Sequence, residues 1–154
     1  MSDAGYNFGY RLGELARLWR TELDQRLRPL GLSQARGIAL LHLAKPGPPL
    51  TQNVLAERAR IRGSTLARQL DLLEADGLIE RRDSPSDRRV KTVHLTDRAL
   101  PVLAQVESVA RQLRQEILAD VAAAEVQTCL SVFDRAKQRL TAGTAAEPRR
   151  RQTG

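Results

Sequence analysis

Residues 50–96 constrain the fold of this chain most strongly, because two helix patterns and a strand pair follow one another there with little connecting sequence. Thr51 is placed to cap a first short helix, which ends near Arg60. A second helix is predicted from Gly63 to Gly77, because glycine readily adopts the left-handed conformation at a helix C-terminus. Two short helices separated by a turn of a few residues indicate a helix-turn-helix.

A β-hairpin, called the wing, is predicted directly after the helix pair. Residues 78–83 and 89–95 have strand-like patterns, and residues 84–87 supply the turn between them. An arginine at a hairpin tip can enter the minor groove of DNA, where the negative potential is strongest. Asp87 is expected to pair with a neighbouring arginine and so to fix the shape of the tip. The alternative is a solvated turn that neutralises its own charge. The basic residues of the wing are Arg81, Arg82, Arg88, Arg89 and Lys91. The wing residues predicted to contact DNA are Ser86, Asp87, Arg88, Arg89 and Lys91.

The second helix of the pair has two different faces. Leu66, Leu70 and Leu73 gather on one side and are predicted to face the core. The other side carries hydroxyls and an arginine near its N-terminal end, which suits the major groove because arginine can bond guanine bidentately. A solvated helix face is the alternative, and Leu72 on this face fits neither interpretation. The residues predicted to contact DNA here are Arg62, Ser64, Thr65, Arg68 and Gln69.

Helices on both sides of this unit carry apolar stripes that a small winged domain cannot cover alone. Ser33 is placed to cap a helix running to about Ala44, and Thr96 to cap a long helix of roughly 25 residues. We therefore predict dimerisation through the terminal helices. The predicted segments are an N-terminal dimerisation helix in residues 1–32, a winged helix-turn-helix in 33–96, C-terminal dimerisation helices in 97–141 and a disordered basic tail in 142–154.

The charge of the chain indicates the kind of partner. Its 154 residues carry a net charge of +7, which favours a polyanion, either nucleic acid or an anionic membrane surface. The low aromatic content of 3% argues against recognition of RNA bases by stacking. The basic residues lie on a hairpin and a short helix rather than along one amphipathic face, so DNA is favoured over a membrane. Because neither a membrane-spanning run nor a secretion signal is recognisable, a cytoplasmic protein is expected.

Catalytic and metal-binding patterns are not apparent. The sequence contains no evident nucleophile–base pair, phosphate-cradling glycine loop or paired acids, so it predicts neither an enzyme nor a cofactor. Cys129 is the only cysteine, which excludes an internal disulfide and a cysteine-based metal site. It is interpreted as a buried thiol of the dimer helices, with redox sensing as the alternative. Residues 149–151 are all arginine and either add a loose phosphate contact or have no role.

Three blocks of the sequence carry a family resemblance. They are L-T-Q-N-V-L-A at 50–56, S-T-L-A-R-Q-L-D-L-L-E-A-D-G-L-I-E-R at 64–81 and S-D-R-R-V-K-T-V-H-L-T at 86–96. These blocks resemble the MarR family of bacterial transcription regulators, and the resemblance covers nearly all of residues 8–140. It implies a protein in contact with the bacterial nucleoid. The SlyA branch of that family is similar in further blocks, namely A-R-L-W-R at 16–20, L-R-P-L-G-L-S-Q at 27–34 and R-Q-E-I-L-A-D at 114–120. The resemblance implies a mainly α fold (α+β), a winged-helix homodimer with interlocked terminal helices.

The resemblance also implies a DNA-binding regulator, most often a repressor, that binds a pseudo-palindromic operator in double-stranded DNA. Its recognition helices lie in the major groove and its wings in the minor groove. The alternative within the same fold is a SlyA-like activator that displaces a nucleoid silencing protein. The matching positions in this sequence are Ser64, Thr65 and Arg68 on the helix, and Asp87 with Arg88 or Arg89 at the wing tip.

Many members of the family release DNA when they bind an aromatic acid or a related small molecule. This chain departs from the SlyA branch at Gly37, where a bulky aromatic residue is common. Gly37 is therefore expected to enlarge a pocket for an anionic aromatic or phenolic ligand, lined by Trp19, Arg36 and His42. The alternative is close packing of two helices at Gly37, with Trp19 as an ordinary core residue.

Overall fold

The computed structural model describes residues 3–145 of the chain. Helices dominate this part, and the strands form a small three-stranded antiparallel sheet, so the predicted mainly α fold with a minor β component is confirmed. The elements are α1 (Asp3–Leu27), a 3-10 turn (Arg28–Leu30), α2 (Gln34–Leu43), β1 (Leu50–Thr51), α3 (Gln52–Ala59), α4 (Gly63–Ala75), β2 (Ile79–Asp83), β3 (Lys91–Leu95), α5 (Ala99–Ile117) and α6 (Ala123–Ala145).

Two predicted hydroxyl caps begin the helices that lead into the helix-turn-helix. Ser33 accepts the backbone N–H of Arg36 at 3.2 Å, which begins α2. Thr51 accepts the backbone N–H of Val54 at 3.3 Å, which begins α3. Each hydroxyl satisfies one of the backbone donors that a helix leaves unpaired at its first turn.

The helix α4 ends as its glycine predicts. Gly77 has a φ of 71°, and its N–H donates to the carbonyl of Glu74 at 2.9 Å. The N–H of Leu78 donates to the carbonyl of Leu73, also at 2.9 Å. This bond pair forms a Schellman motif, which turns the chain sharply from α4 into the wing.

The sheet has the strand order β1-β3-β2. Leu50 of β1 pairs with Val93, and Ile79 of β2 pairs with Leu95. The sequence did not predict β1, because a two-residue strand has no periodicity to detect. The structure also corrects the start of the second wing strand, since β3 begins at Lys91 and residues 89–90 belong to the turn.

The core of the winged unit is built from leucine. Leu66, Leu70 and Leu73 of α4 are fully buried, as their spacing predicts, and they join Leu27 of α1 and Leu40 of α2 in one cluster. Burial of each such side chain contributes about 1.5–3 kcal/mol. The core therefore fixes which side of α4 remains available to a partner.

The helix α5 begins later than expected. Thr96 was predicted to cap it, but its hydroxyl donates to the carbonyl of Gly77 at 2.6 Å and the helix starts at Ala99. The helix has 19 residues and ends at Ile117, so it is shorter than the sequence pattern suggested. The bond from Thr96 instead ties the end of β3 to the end of α4.

Contacts divide the chain into two units, with the boundary between Leu113 and Arg114. The second unit contains α6, which begins where the Glu125 carboxylate accepts the backbone N–H of Ala122 at 3.0 Å. The helix continues to Ala145, so residues 142–145, which were expected in a disordered tail, are helical. The remaining tail residues, 146–154, lie outside the described residues. None of the helices in residues 3–145 has the length and apolar character needed to cross a membrane.

Candidate nucleic-acid interface

The exposed face of α4 carries the residues that the sequence assigned to the major groove. Ser64, Thr65 and Arg68 are all exposed, and Arg68 has no ion pair within the described residues. The helix begins at Gly63, and Arg62 before it supplies no side-chain cap. The first turn of α4 therefore combines uncapped backbone N–H groups with two hydroxyls, which suits contact with phosphate oxygens.

Gln69 differs from these residues. It is half-buried, and its Oε1 accepts the Ser33 hydroxyl at 3.1 Å. This bond links α4 to the start of α2. The structure therefore corrects the grouping of Gln69 with the exposed contacts, because its amide oxygen already has a partner inside the protein.

Arg81 joins the recognition helix α4 to the wing. Its Nη2 donates to Asp71 Oδ1 at 2.7 Å, its Nη1 forms an ion pair with Glu74, and its backbone N–H donates to Glu74 Oε1 at 3.1 Å. Burial alone would lower the pKa of Arg81, but hydrogen bonds and charge from the two carboxylates raise it, so the guanidinium stays charged. Arg81 therefore has a structural role at the base of the wing.

The other two cations at the base of the wing are also paired. Arg82 Nε donates to Glu80 Oε1 at 2.6 Å, and Lys91 forms an ion pair with Asp83 across the hairpin. Of the five basic wing residues, only Arg88 and Arg89 have no acidic partner among residues 3–145, and both are exposed. The uncompensated charge of the wing is therefore concentrated at its tip.

Asp87 shapes this tip through the backbone. Its Oδ1 accepts the backbone N–H of Arg89 at 2.9 Å, and its carbonyl accepts the N–H of Val90 at 3.0 Å. The expected pairing with an arginine side chain is therefore wrong, although the expected effect on the shape of the turn is present. The hydroxyls of Ser84 and Ser86 lie 3.0 Å apart and bond to each other in the same turn. Both guanidinium groups remain available to solvent.

The pocket predicted around Gly37 is not formed, and the structure corresponds to the close-packing alternative. A Cβ at Gly37 would lie 2.6 Å from Leu27 Cδ1 and 3.5 Å from Val106 Cγ1. Arg36 is directed elsewhere, since its Nη2 donates to the carbonyl of Gly31 at 2.6 Å. Glycine at position 37 therefore permits close approach of packed side chains and leaves no space for a ligand.

Trp19 and His42 have different neighbours. Trp19 lines a separate groove of about 310 Å³ together with Ile38, Ile61 and Arg60. Burial lowers the pKa of His42, and the charges of Lys45 and Arg58 lower it further. The four residues proposed for one pocket thus belong to different surroundings.

In the part of the chain that the structure describes, no three His, Cys, Asp or Glu side chains group as metal ligands. Cys129 was interpreted as a buried thiol, but it is exposed in the single chain.

Known proteins resemble this chain in sequence and in fold. The profile of the MarR family matches residues 30–90, which include α3, α4 and the first part of the wing. The crystal structure of the transcriptional regulator PA3341 is 41% identical, with a TM-score of 0.81 over 88% of this chain and 98% of that one. The MepR–DNA complex of S. aureus is 22% identical, with a TM-score of 0.74 over 86% of this chain and 97% of that one. The transcriptional regulator SlyA is 19% identical, with a TM-score of 0.75 over 87% and 94%, and supports the fold alone.

Proposed function

Because the chain belongs to the MarR family and is therefore a DNA-binding transcriptional regulator and not an enzyme, we propose that it represses transcription as a homodimer on a pseudo-palindromic operator. The observation that carries the proposal is the distribution of charge on the winged unit. Three wing cations are neutralised inside the fold, whereas Arg88, Arg89 and the α4 residue Arg68 are left uncompensated within the described residues. A bacterial cytoplasmic location next to the nucleoid is part of the same proposal.

Each unpaired group has a suitable target on DNA. The face of α4 enters the major groove, where Arg68 can donate two hydrogen bonds to the O6 and N7 of guanine. Ser64, Thr65 and the first backbone N–H groups of α4 bind flanking phosphates. The wing tip enters the minor groove, where Arg88 or Arg89 is attracted by the negative potential.

Exposed apolar side chains on the terminal helices support the dimer. Tyr6 is 87% exposed and Leu15 52% exposed on α1, and Leu140 is 75% exposed on α6. Exposed apolar side chains repeated along a helix suit an interface with another chain. Two-fold symmetry would repeat α4 at a spacing of about one DNA turn, roughly 34 Å. Sedimentation equilibrium should then give twice the chain mass of 17.1 kDa.

We infer that a ligand that relieves repression binds in the Trp19 groove rather than at Gly37. The apolar residues Ile38 and Ile61 suit an aromatic ring, and Arg20 and Arg60 suit a carboxylate. Trp19 is the only tryptophan, so its fluorescence reports on this groove directly. Titration with benzoate and salicylate should quench the fluorescence saturably, and Arg20→Gln should weaken the effect. Unchanged emission with every aromatic acid tested would contradict the ligand part of the proposal.

The test of DNA binding compares a specific with a non-specific duplex. Inverted repeats selected from a random library should bind far more tightly than scrambled DNA, and log Kd should rise steeply with log salt concentration. Arg68→Ala should cost about tenfold in affinity and relax preference at one base pair of each half-site. Arg111→Ala, an exposed arginine on α5, is the matched control and should leave affinity unchanged. Equal binding to specific and scrambled duplexes would contradict the proposal.

A transcription assay with purified components distinguishes repression from activation. A repressor lowers transcription from a promoter that carries the selected operator when it is added alone. The SlyA-like alternative predicts no effect by itself and an increase only when a nucleoid silencing protein already occupies the DNA.

A further inference from the structure

A small cleft lies where the connection between α2 and β1 passes the base of the wing. It has a volume of about 210 Å³. Lys45 and Pro48 contribute from the connection, Arg58 from α3, and Arg82 and His94 from the sheet. The Trp19 groove has no lining residue in common with this cleft, and the tip residues Arg88 and Arg89 do not line it.

The cleft has excess positive charge. Lys45 and Arg58 form no ion pair within residues 3–145, and the residues that line the cleft include no acid. On the sheet beside the cleft, Glu80 is opposite His94 in the strand register, and Asp83 follows Arg82 in the chain. The Glu80 carboxylate accepts from Arg82, and Asp83 is paired with Lys91. Two full positive charges therefore remain without compensation.

His42 provides an independent indication that these two charges act in the same region. Burial lowers its pKa first, and Lys45 and Arg58 then lower it further in that order. A cationic imidazole next to two cations is unfavourable, which is why both charges lower the pKa of His42. Lys45 and Arg58 also line the same cleft, so both contribute to its positive potential.

The walls of the cleft are held in place before anything binds. Gly47 has a φ of 151°, which favours glycine, and the two prolines that follow it have fixed φ angles. On the opposite wall, His94 Nε2 lies 2.8 Å from the Thr92 hydroxyl, which itself donates to the carbonyl of Arg82 at 3.3 Å. The backbone of the connection and the His94 ring are therefore fixed before binding, and only the exposed side chains of Lys45 and Arg58 have to be ordered by the anion.

Size and charge together select the class of ligand. Sites for drug-sized molecules occupy about 300–1,000 Å³ and are mostly apolar, whereas this cleft is smaller and is lined by charged groups. Free phosphate carries about −1.5 to −2 charges at neutral pH, and each phosphate of the DNA backbone carries one. Both offer unesterified oxygens as acceptors. Two uncompensated cations match the charge of free phosphate, and their donors match the oxygens of either source.

We propose that the cleft formed by Lys45, Arg58 and His94 is a binding site for a phosphate group, supplied either by free phosphate or by the DNA backbone. Lys45 provides a mobile point charge and Arg58 a planar donor for two oxygens. This site goes beyond the proposed operator contacts and does not depend on them, because phosphate binding can be measured without DNA.

The test is a titration of the full-length protein with inorganic phosphate at constant ionic strength, followed by NMR of the His42 and His94 side chains. Saturable shifts of both histidines are expected, and sodium chloride should not reproduce them. Lys45→Gln combined with Arg58→Gln should raise the dissociation constant at least about tenfold, because two charge-assisted hydrogen bonds are lost. Arg17→Gln, an exposed cation on α1, is the control and should leave it unchanged. The melting temperature of each variant establishes that it is folded.

Competition with operator DNA identifies the source of the phosphate. If the Lys45→Gln, Arg58→Gln variant also binds operator more weakly, with an affinity that depends less steeply on salt concentration, the site takes a backbone phosphate. If operator affinity is unchanged while phosphate binding is lost, the site takes a free phosphate. Non-saturable shifts, or equal phosphate binding by the double variant and the parent protein, would overturn the proposal.

Discussion

The base and the tip of the wing have the same kind of side chains but use them differently. At the base, Arg81, Arg82 and Lys91 are each held by carboxylates of α4 or of the hairpin. At the tip, Arg88 and Arg89 have no such partner in the described part of the chain, because the neighbouring Asp87 is bonded to the backbone. Some basic residues of a sequence thus stabilise the fold, and others remain available to a partner. The positions of the acidic residues decide to which group each basic residue belongs.

The largest effect is expected at the tip. Arg88→Ala with Arg89→Ala should weaken operator binding about 100-fold, since a dimer loses a minor-groove contact in each half-site. The melting temperature should not change, because neither side chain has a partner among the described residues. Fluorescence anisotropy and thermal unfolding measure the two quantities. If the double variant lost as much free energy of unfolding as free energy of operator binding, the tip arginines would have a structural role like that of the base residues.

An intermediate effect is expected from Arg81 at the base. Arg81→Ala breaks both ion pairs to α4, so we expect a lower melting temperature and a loss of about tenfold in operator affinity. Arg81→Lys is the informative companion, because a single ammonium group cannot bond both carboxylates as a guanidinium does. The melting temperature and the operator affinity of Arg81→Lys should be closer to those of Arg81→Ala than to those of the parent protein. Full activity of Arg81→Ala would show that the bridge to α4 does not position the wing.

A smaller effect is expected from Asp87, because it shapes the tip through the backbone. Asp87→Ala removes the acceptor for the Arg89 N–H and should reduce operator affinity about fivefold by loosening the turn. Asp87→Asn retains an oxygen acceptor and should bind operator nearly as the parent does. Equal losses in the two variants would instead indicate that the negative charge of Asp87 matters.

The smallest effect is expected from Lys91. Its ammonium group is already paired with Asp83, and this exposed pair contributes at most about 1 kcal/mol to stability. Lys91→Gln should therefore change operator affinity less than about twofold, with an unaltered salt slope. A loss of operator affinity as large as that of the tip variant would contradict the contrast between base and tip, because it would indicate that the base of the wing contacts DNA.

Much of the fold could be predicted from local patterns. The spacing of Leu66, Leu70 and Leu73 identified the buried side of α4, and all three are fully buried. The hydroxyl caps at Ser33 and Thr51 also lie where a local rule places them. These predictions succeed because each depends on residues within a few positions of one another in the chain.

The errors concern contacts between distant residues. Gly37 gives the same local signal whether its missing side chain leaves a pocket or admits a neighbour, and only the position of Leu27 decides between them. Thr96 has the sequence context of a helix cap, yet its hydroxyl donates a hydrogen bond to the carbonyl of Gly77 instead. The bridge at Arg81 was detectable in principle, because Asp71 and Glu74 are three residues apart and lie on one outer side of α4.

The two attachments between α4 and the wing have a consequence for release from DNA. Arg81 fastens the first strand of the wing to α4, and Thr96 fastens the end of the second strand to Gly77 just beyond that helix. We therefore expect the helix and the hairpin to move together. In the proposed complex, a rotation that lifts α4 out of the major groove would also withdraw the wing from the minor groove, so that a half-site is lost in one step rather than two.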